Sequence, residues 1–223
     1  MLTLNQERMF KAILFDLDGL LIDSETIYRK ISYRMADDFG KELHDGIWAK
    51  QMGRSPLESL TIFREELGIT THTAQELVDF RNILLDDAFR NSLELLPGAI
   101  EILDAFRGRL SLAIATGSPR KLMELAVDRF GIRDYFDYML PSDGLTRGKP
   151  DPEIYLKTAE AIGINPEECF VLEDSSNGVV SGHRAGCFVI AVPSIYTCNQ
   201  DFGAADSIAA SLDEASQLIG TLI

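Results

Sequence analysis

Lys11-Ala-Ile-Leu-Phe-Asp16-Leu-Asp18-Gly19-Leu-Leu21 carries the clearest architectural signal in the chain. Ala12 to Phe15 is an apolar run of strand length that ends abruptly in two carboxylates and a glycine, the pattern of a buried parallel strand surfacing at its C-terminal end. Open α/β sheets bind their ligands at that end. Side chains alternate along a strand, so Asp16 and Asp18 share a side while Leu17 points away. Two anions held close repel each other unless a cation or a proton lies between them. The competing reading is a plain strand and turn, with Asp18-Gly19 as ordinary turn residues. An EF-hand loop also begins Asp-x-Asp, but its glycine belongs at the sixth position, not the fourth, and no helix precedes Asp16.

Downstream, the same texture recurs. Leu110 to Ala115 is a second apolar strand, ending at Thr116-Gly117-Ser118-Pro119. Ser118 and Pro119 read as helix cap and first helical position, which leaves Thr116 and Gly117 between a strand end and a helix N-terminus. Free backbone N–H groups and a partial positive charge suit such a place to an anion. Tyr138 to Leu140 is a weaker strand, followed by Gly148-Lys149-Pro150-Asp151-Pro152, with Asp151 read as the cap of a helix to about Ile162. Asn165-Pro166 marks a turn before the strand Cys169 to Leu172, which ends in Glu173-Asp174, and Phe188 to Val192 is the last clear strand. Strands alternating with helices predict an α/β fold with a parallel sheet.

From Thr26 to about Asn91 no buried strand is legible. Ser55-Pro56-Leu57-Glu58 is a capping box with proline at the first helical position, and Gly68 closes that helix. Thr73 and Glu76 repeat the box before Leu77, Phe80, Leu84 and Ala88, which recur every three or four residues. The division expected is 9–22 and 93–223 for a sheet-bearing core and 23–92 for an inserted helical domain. Leu20 to Ser24 and Leu93 to Pro97 would be the hinges.

With 223 residues, 46% of them hydrophobic, the chain is long enough to bury a sizeable core. Its net charge of -14 argues against nucleic acid or anionic membranes as partners. Cys169, Cys187 and Cys198 lack paired spacing, so buried, reduced thiols are expected. No apolar run approaches the roughly 20 residues of a membrane span and Met1 to Met9 lacks a signal-peptide core, so the expected compartment is the cytoplasm. Met1 to Arg8 reads as a loosely attached lead-in.

Asp16 and Asp18, Thr116, Lys149, and Glu173 with Asp174 each follow an apolar strand or sit in a loop, and each alone has a bland explanation as turn, cap or solvated charge. Together, on one edge of a parallel sheet, they fit phosphoryl transfer through a covalent aspartate. Hard oxygen ligands suit Mg²⁺. The metal and Lys149 would offset the repulsion between a carboxylate nucleophile and a phosphate dianion.

On Asp16-Leu-Asp18-Gly19, Thr116-Gly117-Ser118, Gly148-Lys149-Pro150-Asp151-Pro152 and Glu173-Asp174-Ser175, in this order and spacing, the chain resembles the haloacid dehalogenase superfamily from Lys11 to about Leu212. The resemblance is to the beta-phosphoglucomutase-like group with a helical cap. It implies a Rossmann-like core and a mobile cap. It further implies Asp16 as nucleophile and Mg²⁺ ligand, and Asp18 as a metal ligand through its backbone carbonyl and as general acid and base through its carboxyl. Thr116 would hold the phosphoryl group, Lys149 would stabilise its charge and Asp174 would complete the metal site. Glu173 would reach the metal through water at most, and Gly117 would offer a backbone N–H to the phosphate.

The reading that follows is a Mg²⁺-dependent phosphatase for a small phosphate monoester, a sugar or polyol phosphate. Dehalogenases of the superfamily lack the second aspartate, so Asp18 counts against their chemistry. A phosphomutase is the alternative, since it shares every core residue. Mutases carry Gly-x-Ser-Arg-x-x-Ser-Leu in the cap; here Gly53-Arg54-Ser55-Pro56-Leu57-Glu58-Ser59-Leu60 has Pro56 in place of the arginine, and Tyr28 stands where a histidine is expected. Arg54 remains a candidate for a second phosphate or a plain surface residue. Tyr28, Trp48 and Met52 are candidates for substrate choice by position only. A non-catalytic sugar-phosphate sensor would have lost the nucleophile or metal ligands, and neither is lost. Oligomeric state is not legible.

Overall fold

A computed structural model of the chain describes residues 9–51 and 54–223. Met52, Gly53 and the lead-in Met1 to Arg8 lie outside the described residues. The chain divides into two compact units, one made of the chain up to Ile22 together with Leu95–Ile223, the other Asp23–Glu94.

The first unit is a six-stranded parallel sheet: β1 (Ala12–Phe15), β2 (Ser111–Ala115), β3 (Tyr138–Leu140), β4 (Cys169–Glu173), β5 (Phe188–Ala191) and β6 (Ser207–Ile208), in the order β3-β2-β1-β4-β5-β6. The opening strand is therefore interior, paired on both sides and fully buried, which is why it reads as an unbroken apolar run. The predicted strands are present within a residue at each end. β6 is an addition: two residues carry too little pattern to be seen.

Register sets up the site. Phe15 pairs with Ile114 on one side and Leu172 on the other, and the Asp16 N–H donates to the Leu172 carbonyl at 3.0 Å. One step further along the same ladder, Asp16 stands between Ala115 and Glu173. Two-residue periodicity carries Ala12 and Leu14, Ala113 and Ala115, and Cys169 and Val171 into one apolar cluster. Ile154, Tyr155 and Ala159 of α7 (Glu153–Ala161) and Val179 of α8 (Ser176–Ala185) pack against it.

Two helix starts differ from expectation. The helix after β2 is Arg120–Phe130, with Pro119 as its cap residue and no side-chain cap from Ser118. The Ser118 N–H instead donates to Thr116 Oγ1 at 2.9 Å, and the Arg120 N–H finds Asp143 Oδ2 at 2.5 Å, an acceptor 23 residues away. Likewise α7 starts at Glu153 behind Pro152, though Asp151 Oδ1 still accepts from the Glu153 N–H at 3.1 Å. Cys169 and Cys187 are buried as expected; Cys198 is exposed, so the buried-thiol expectation fails for it, at a turn after β5.

The second unit is helical: α1 (Ser24–Asp38), α2 (Asp45–Gln51), α3 (Pro56–Glu66) and α4 (Ala74–Asn91). Both capping boxes, at Ser55 with Glu58 and Thr73 with Glu76, form with reciprocal bonds. The buried stripe of α4 is Leu77, Val78, Arg81, Leu85 and Phe89, so Phe80, Leu84 and Ala88 lie at its margin and are only partly buried. Its two ends are drawn together by the Asp23 N–H donating to the Glu94 carbonyl at 2.9 Å, and in the first unit Ile22 bridges Leu95. No helix among the described residues is long and apolar enough to cross a membrane.

Candidate active site

At the C-terminal edge of the sheet, β1, β2 and β4 each release a polar residue into the same small volume. Asp16 is 6% exposed and Thr116, Glu173 and Asp174 are buried with it. Carboxylate oxygens of Asp16, Glu173 and Asp174 all lie within 4.8 Å of one another. Lys149, from the loop before α7, reaches across the row: its ammonium donates to Asp16 Oδ1 at 2.5 Å, to Glu173 Oε1 at 2.5 Å and to the Ala115 carbonyl at 3.0 Å. Thr116 Oγ1 donates to Asp18 Oδ2 at 2.8 Å.

Electrostatics follow from the crowding. Burial pushes the Asp16 carboxyl up, and the nearby Glu173 and Asp18 charges add to that, while Lys149 opposes it. Burial alone would lower the Lys149 pKa; Asp16 and Glu173 outweigh it and hold the ammonium charged. Lys149 thus lies between two buried carboxylates, with Asp18 and Asp174 close by. A site so arranged favours an added positive charge.

The geometry bears on which ion fits. Three carboxylates whose oxygens lie within 4.8 Å of one another, with no histidine or thiol in the group, form a hard-oxygen set of the kind that holds a divalent cation. Asp18 Oδ1 is buried and has no hydrogen-bond partner among the described residues, so an acceptor there awaits a donor or a ligand. A Cβ on Gly19, whose φ is +73°, would sit 2.5 Å from Asp174 Oδ2. The glycine is therefore what lets the Asp174 carboxylate close on the turn that carries Asp16 and Asp18. These residues fit a divalent cation, which Asp16 and Asp174 would hold.

Glu173 has a different set of partners. Besides Lys149, its carboxylate accepts from the Tyr155 hydroxyl at 2.5 Å and from Ser175 Oγ at 3.1 Å. Its room is made by Gly178 on α8, where a Cβ would fall 1.9 Å from the Glu173 carboxyl carbon. Burial, and secondarily the Glu173 charge, push the Tyr155 phenol well up, so it stays a donor. Tyr155 and Gly178 are the residues that reading the sequence misses: Tyr155 looks like one more core aromatic of an amphipathic helix. The only trace of Gly178 is a glycine in the first turn of α8.

Gly117 lies exposed beyond β2, and among the described residues nothing accepts a hydrogen bond from its N–H. Glu153 accepts from the Thr146 and Arg147 N–H groups at 2.9 and 2.8 Å and so shapes the loop that carries Lys149. Arg54 belongs to the helical unit, where it is exposed and its Nε donates to the Lys50 carbonyl at 2.7 Å.

Comparison with known proteins gives the family. The "phosphorylated carbohydrates phosphatase" of Thermotoga maritima is 35% identical over 180 residues, 79% of this chain and 82% of that protein. The mitochondrial "(DL)-glycerol-3-phosphatase 1" of Arabidopsis thaliana is 30% identical over 210 residues, 90% of this chain and 70% of that protein. The crystal structure of beta-phosphoglucomutase from Clostridium difficile shares the fold, with a TM-score of 0.77 over 96% of this chain and 97% of that one at 22% identity. The family model for haloacid dehalogenase-like hydrolases matches residues 13–192, which take in every residue of the edge just described, and the chain belongs to that family, in its beta-phosphoglucomutase-like group.

Proposed function

We propose that the chain is a Mg²⁺-dependent phosphatase that hydrolyses a small phosphate monoester, a sugar or polyol phosphate, through a phosphoaspartate on Asp16. The observation that carries the reading is the pairing of a buried Asp16, held by Lys149 through Oδ1, with an Asp18 whose Oδ1 is uncommitted. Relatives named for phosphorylated carbohydrates and glycerol 3-phosphate support the substrate class.

Each residue then has a task. Asp16 Oδ1 is committed to Lys149, which leaves Oδ2 to attack phosphorus as the ester P–O bond breaks. Asp18 gives its proton to the departing sugar oxygen and in the second half takes one from the water that attacks the phosphoaspartate, releasing inorganic phosphate and restoring both carboxyls. Thr116 Oγ1 donates its one proton to Asp18 Oδ2 and so orients Asp18; on binding of the ester that proton would turn to a phosphoryl oxygen, beside the Gly117 N–H. Lys149 offsets the charge of those oxygens. Mg²⁺ supplies charge neutralisation and a fixed orientation for the phosphate. Asp16 and Asp174 would hold it, with the Asp18 backbone carbonyl, while Glu173 keeps Lys149 in place and would serve the ion through water at most.

Phosphate release from a panel of sugar and polyol phosphates, with and without Mg²⁺ and EDTA, tests the reading, with beta-glucose 1-phosphate followed in parallel for isomerisation. Turnover that needs Mg²⁺ and vanishes in Asp16→Asn is expected. Retention of the wild-type rate in Asp16→Asn, or indifference to EDTA, removes Asp16 or the metal from the mechanism; isomerisation without net phosphate release makes the enzyme a mutase.

A further inference from the structure

The backbone of the turn between β2 and the helix α6 (Arg120–Phe130) is held by the segment that follows β3. The Thr116 N–H donates to the Leu140 carbonyl at 3.0 Å, the Ser142 N–H donates to the Ser118 carbonyl at 3.0 Å, and the Arg120 N–H donates to Asp143 Oδ2 at 2.5 Å. Alternate residues 116, 118 and 120 are thus pinned to the end of β3 and to the short turn Ser142–Gly144 beyond it. Within the turn the Ser118 N–H bonds Thr116 Oγ1, and Pro119 has no N–H to give. From Thr116 to Arg120, Gly117 is left as the residue with an N–H and no acceptor for it among the described residues.

The bonds on either side decide where that N–H points. A Cβ added to Gly117 would meet nothing within 4 Å, so no packing holds the residue. Nor does α6 hold its own start in the ordinary way. A helix leaves its first N–H groups without partners inside it. Here the cap residue is Pro119, which offers no side-chain acceptor, and no acidic residue stands in the first turn. Asp143 supplies what is missing, a carboxylate at the positive end of the helix. The Arg120 guanidinium is turned along its own helix to Glu124, 3.6 Å away, so what Asp143 holds is the backbone. A cap borrowed from another segment couples the helix start to the loop after β3.

Resting on the phosphatase reading, in which the Gly117 N–H receives a phosphoryl oxygen, we propose that Asp143 is a positioning residue of the reaction. Its carboxylate fixes the far end of the turn through the Arg120 N–H and so aims the Gly117 N–H, without touching the substrate. Its charge repels an anion bound nearby, so the bond and the charge act in opposite directions and can be told apart.

The test uses the full chain as wild type, Asp143→Ala, Asp143→Asn and Ser211→Ala. Asp143 is exposed, so truncating it opens no cavity. Asparagine keeps the acceptor and drops the charge. Ser211→Ala removes a cap of the same kind, on the Glu214 N–H at 3.2 Å, from α9 (Leu212–Leu222), a helix that carries no site residue. Inorganic phosphate is titrated with Mg²⁺ present against protein made with isotope-labelled glycine, following the Gly117 amide by NMR. Turnover is measured for the best ester of the panel above. Asp143→Ala and Ser211→Ala should each lower Tm by about 2–4 °C. Only Asp143→Ala should weaken phosphate binding at Gly117 by about tenfold and lower kcat/KM by about tenfold or more, while Asp143→Asn stays within about threefold of wild type in both. Asp143→Ala behaving like Ser211→Ala overturns the proposal, as does tighter phosphate binding in both Asp143 variants, which is the effect of charge alone. Loss of turnover at unchanged phosphate affinity, or a Gly117 amide that ignores phosphate in an active wild type, overturns it too. A wild type that hydrolyses no ester and whose Gly117 amide ignores phosphate instead fails the phosphatase reading, and the role of Asp143 falls with it.

Discussion

Gly178→Ala is a small change with a large expected effect. Position 178 lies inside a helix, where alanine is ordinarily better than glycine by about 1 kcal/mol. Here the added methyl would fall 1.9 Å from both the carboxyl carbon and Oε1 of Glu173 and 2.1 Å from Oε2. Glu173 is 1% exposed and tied to Lys149, Tyr155 and Ser175, so it cannot swing into solvent. Either α8 moves away from the sheet, an overpacking cost of about 1–3 kcal/mol, or the carboxylate gives up bonds worth about 1.5–3 kcal/mol each because a charged group is involved. Net of the helix gain, Gly178→Ala is expected to lose up to about 2 kcal/mol by the first route and, with two bonds given up, about 2–5 kcal/mol by the second, read in urea unfolding at unchanged m-value. Displacing Glu173 also releases Lys149, so phosphate release should fall even at temperatures where the variant is folded. Gly220→Ala is the control: also in a helix, with nothing within 4 Å of the added carbon, it should be neutral or stabilising. Equal effects of the two substitutions would refute the packing argument.

Other substitutions test the site from different sides. Gly19→Ala places a side chain at φ +73° and against Asp174 Oδ2, so it should cost about 1–2 kcal/mol of backbone strain and weaken Mg²⁺ binding, read as a raised half-saturation concentration for activity. Tyr155→Phe removes one of the donors to Glu173 and should destabilise by about 1–3 kcal/mol, read by denaturant unfolding; a neutral result would mean that Lys149 and Ser175 suffice to satisfy that carboxylate. Asp18→Asn should accumulate a phosphoenzyme after substrate and Mg²⁺ are added, visible as an intact-mass increase, because no base is left to activate water. Glu153 is held at about 2, below its ordinary 4.5, first by Lys157 and then by the Thr146 N–H. A depressed carboxyl stabilises the fold above its ordinary value and ceases to as pH falls through the folded one. The stability gap between wild type and Glu153→Gln should therefore be widest above pH 4.5 and close toward about pH 2; a gap independent of pH would exclude this origin.

Much of the first unit is legible from residues alone, because an interior parallel strand has no polar face to disguise it. β1, β2, β4 and β5 announce themselves as apolar runs, and the polar residues that follow β1, β2 and β4 gather on one edge as topology requires. Asp174 and Lys149 meet Asp16 although more than a hundred positions separate either of them from it. Local chemistry also names the helix starts at Ser55 and Thr73, where donor and acceptor lie three residues apart. What sequence alone does not show is long-range or contrary to pattern. The helix after β2 takes its cap from Asp143, 23 residues on, so the Ser118-Pro119 signal points one residue early. Tyr155 hides as a core aromatic because only its hydroxyl has a polar task. Arg81 occupies a stripe position where periodicity expects an aliphatic residue, and no local rule distinguishes that from an error of phase.

The central place of β1 has a consequence for how the enzyme wears out. A strand bonded to a neighbour on each side is among the last segments of a sheet to exchange its amide protons, since both flanks must open before solvent arrives. Asp16, the proposed nucleophile, follows that strand directly, its own N–H donating to the Leu172 carbonyl. Its carboxylate is thereby anchored where exchange should be slowest in the unit, so the edge that carries Asp16 should keep its geometry through the local openings that loosen exposed loops and chain ends.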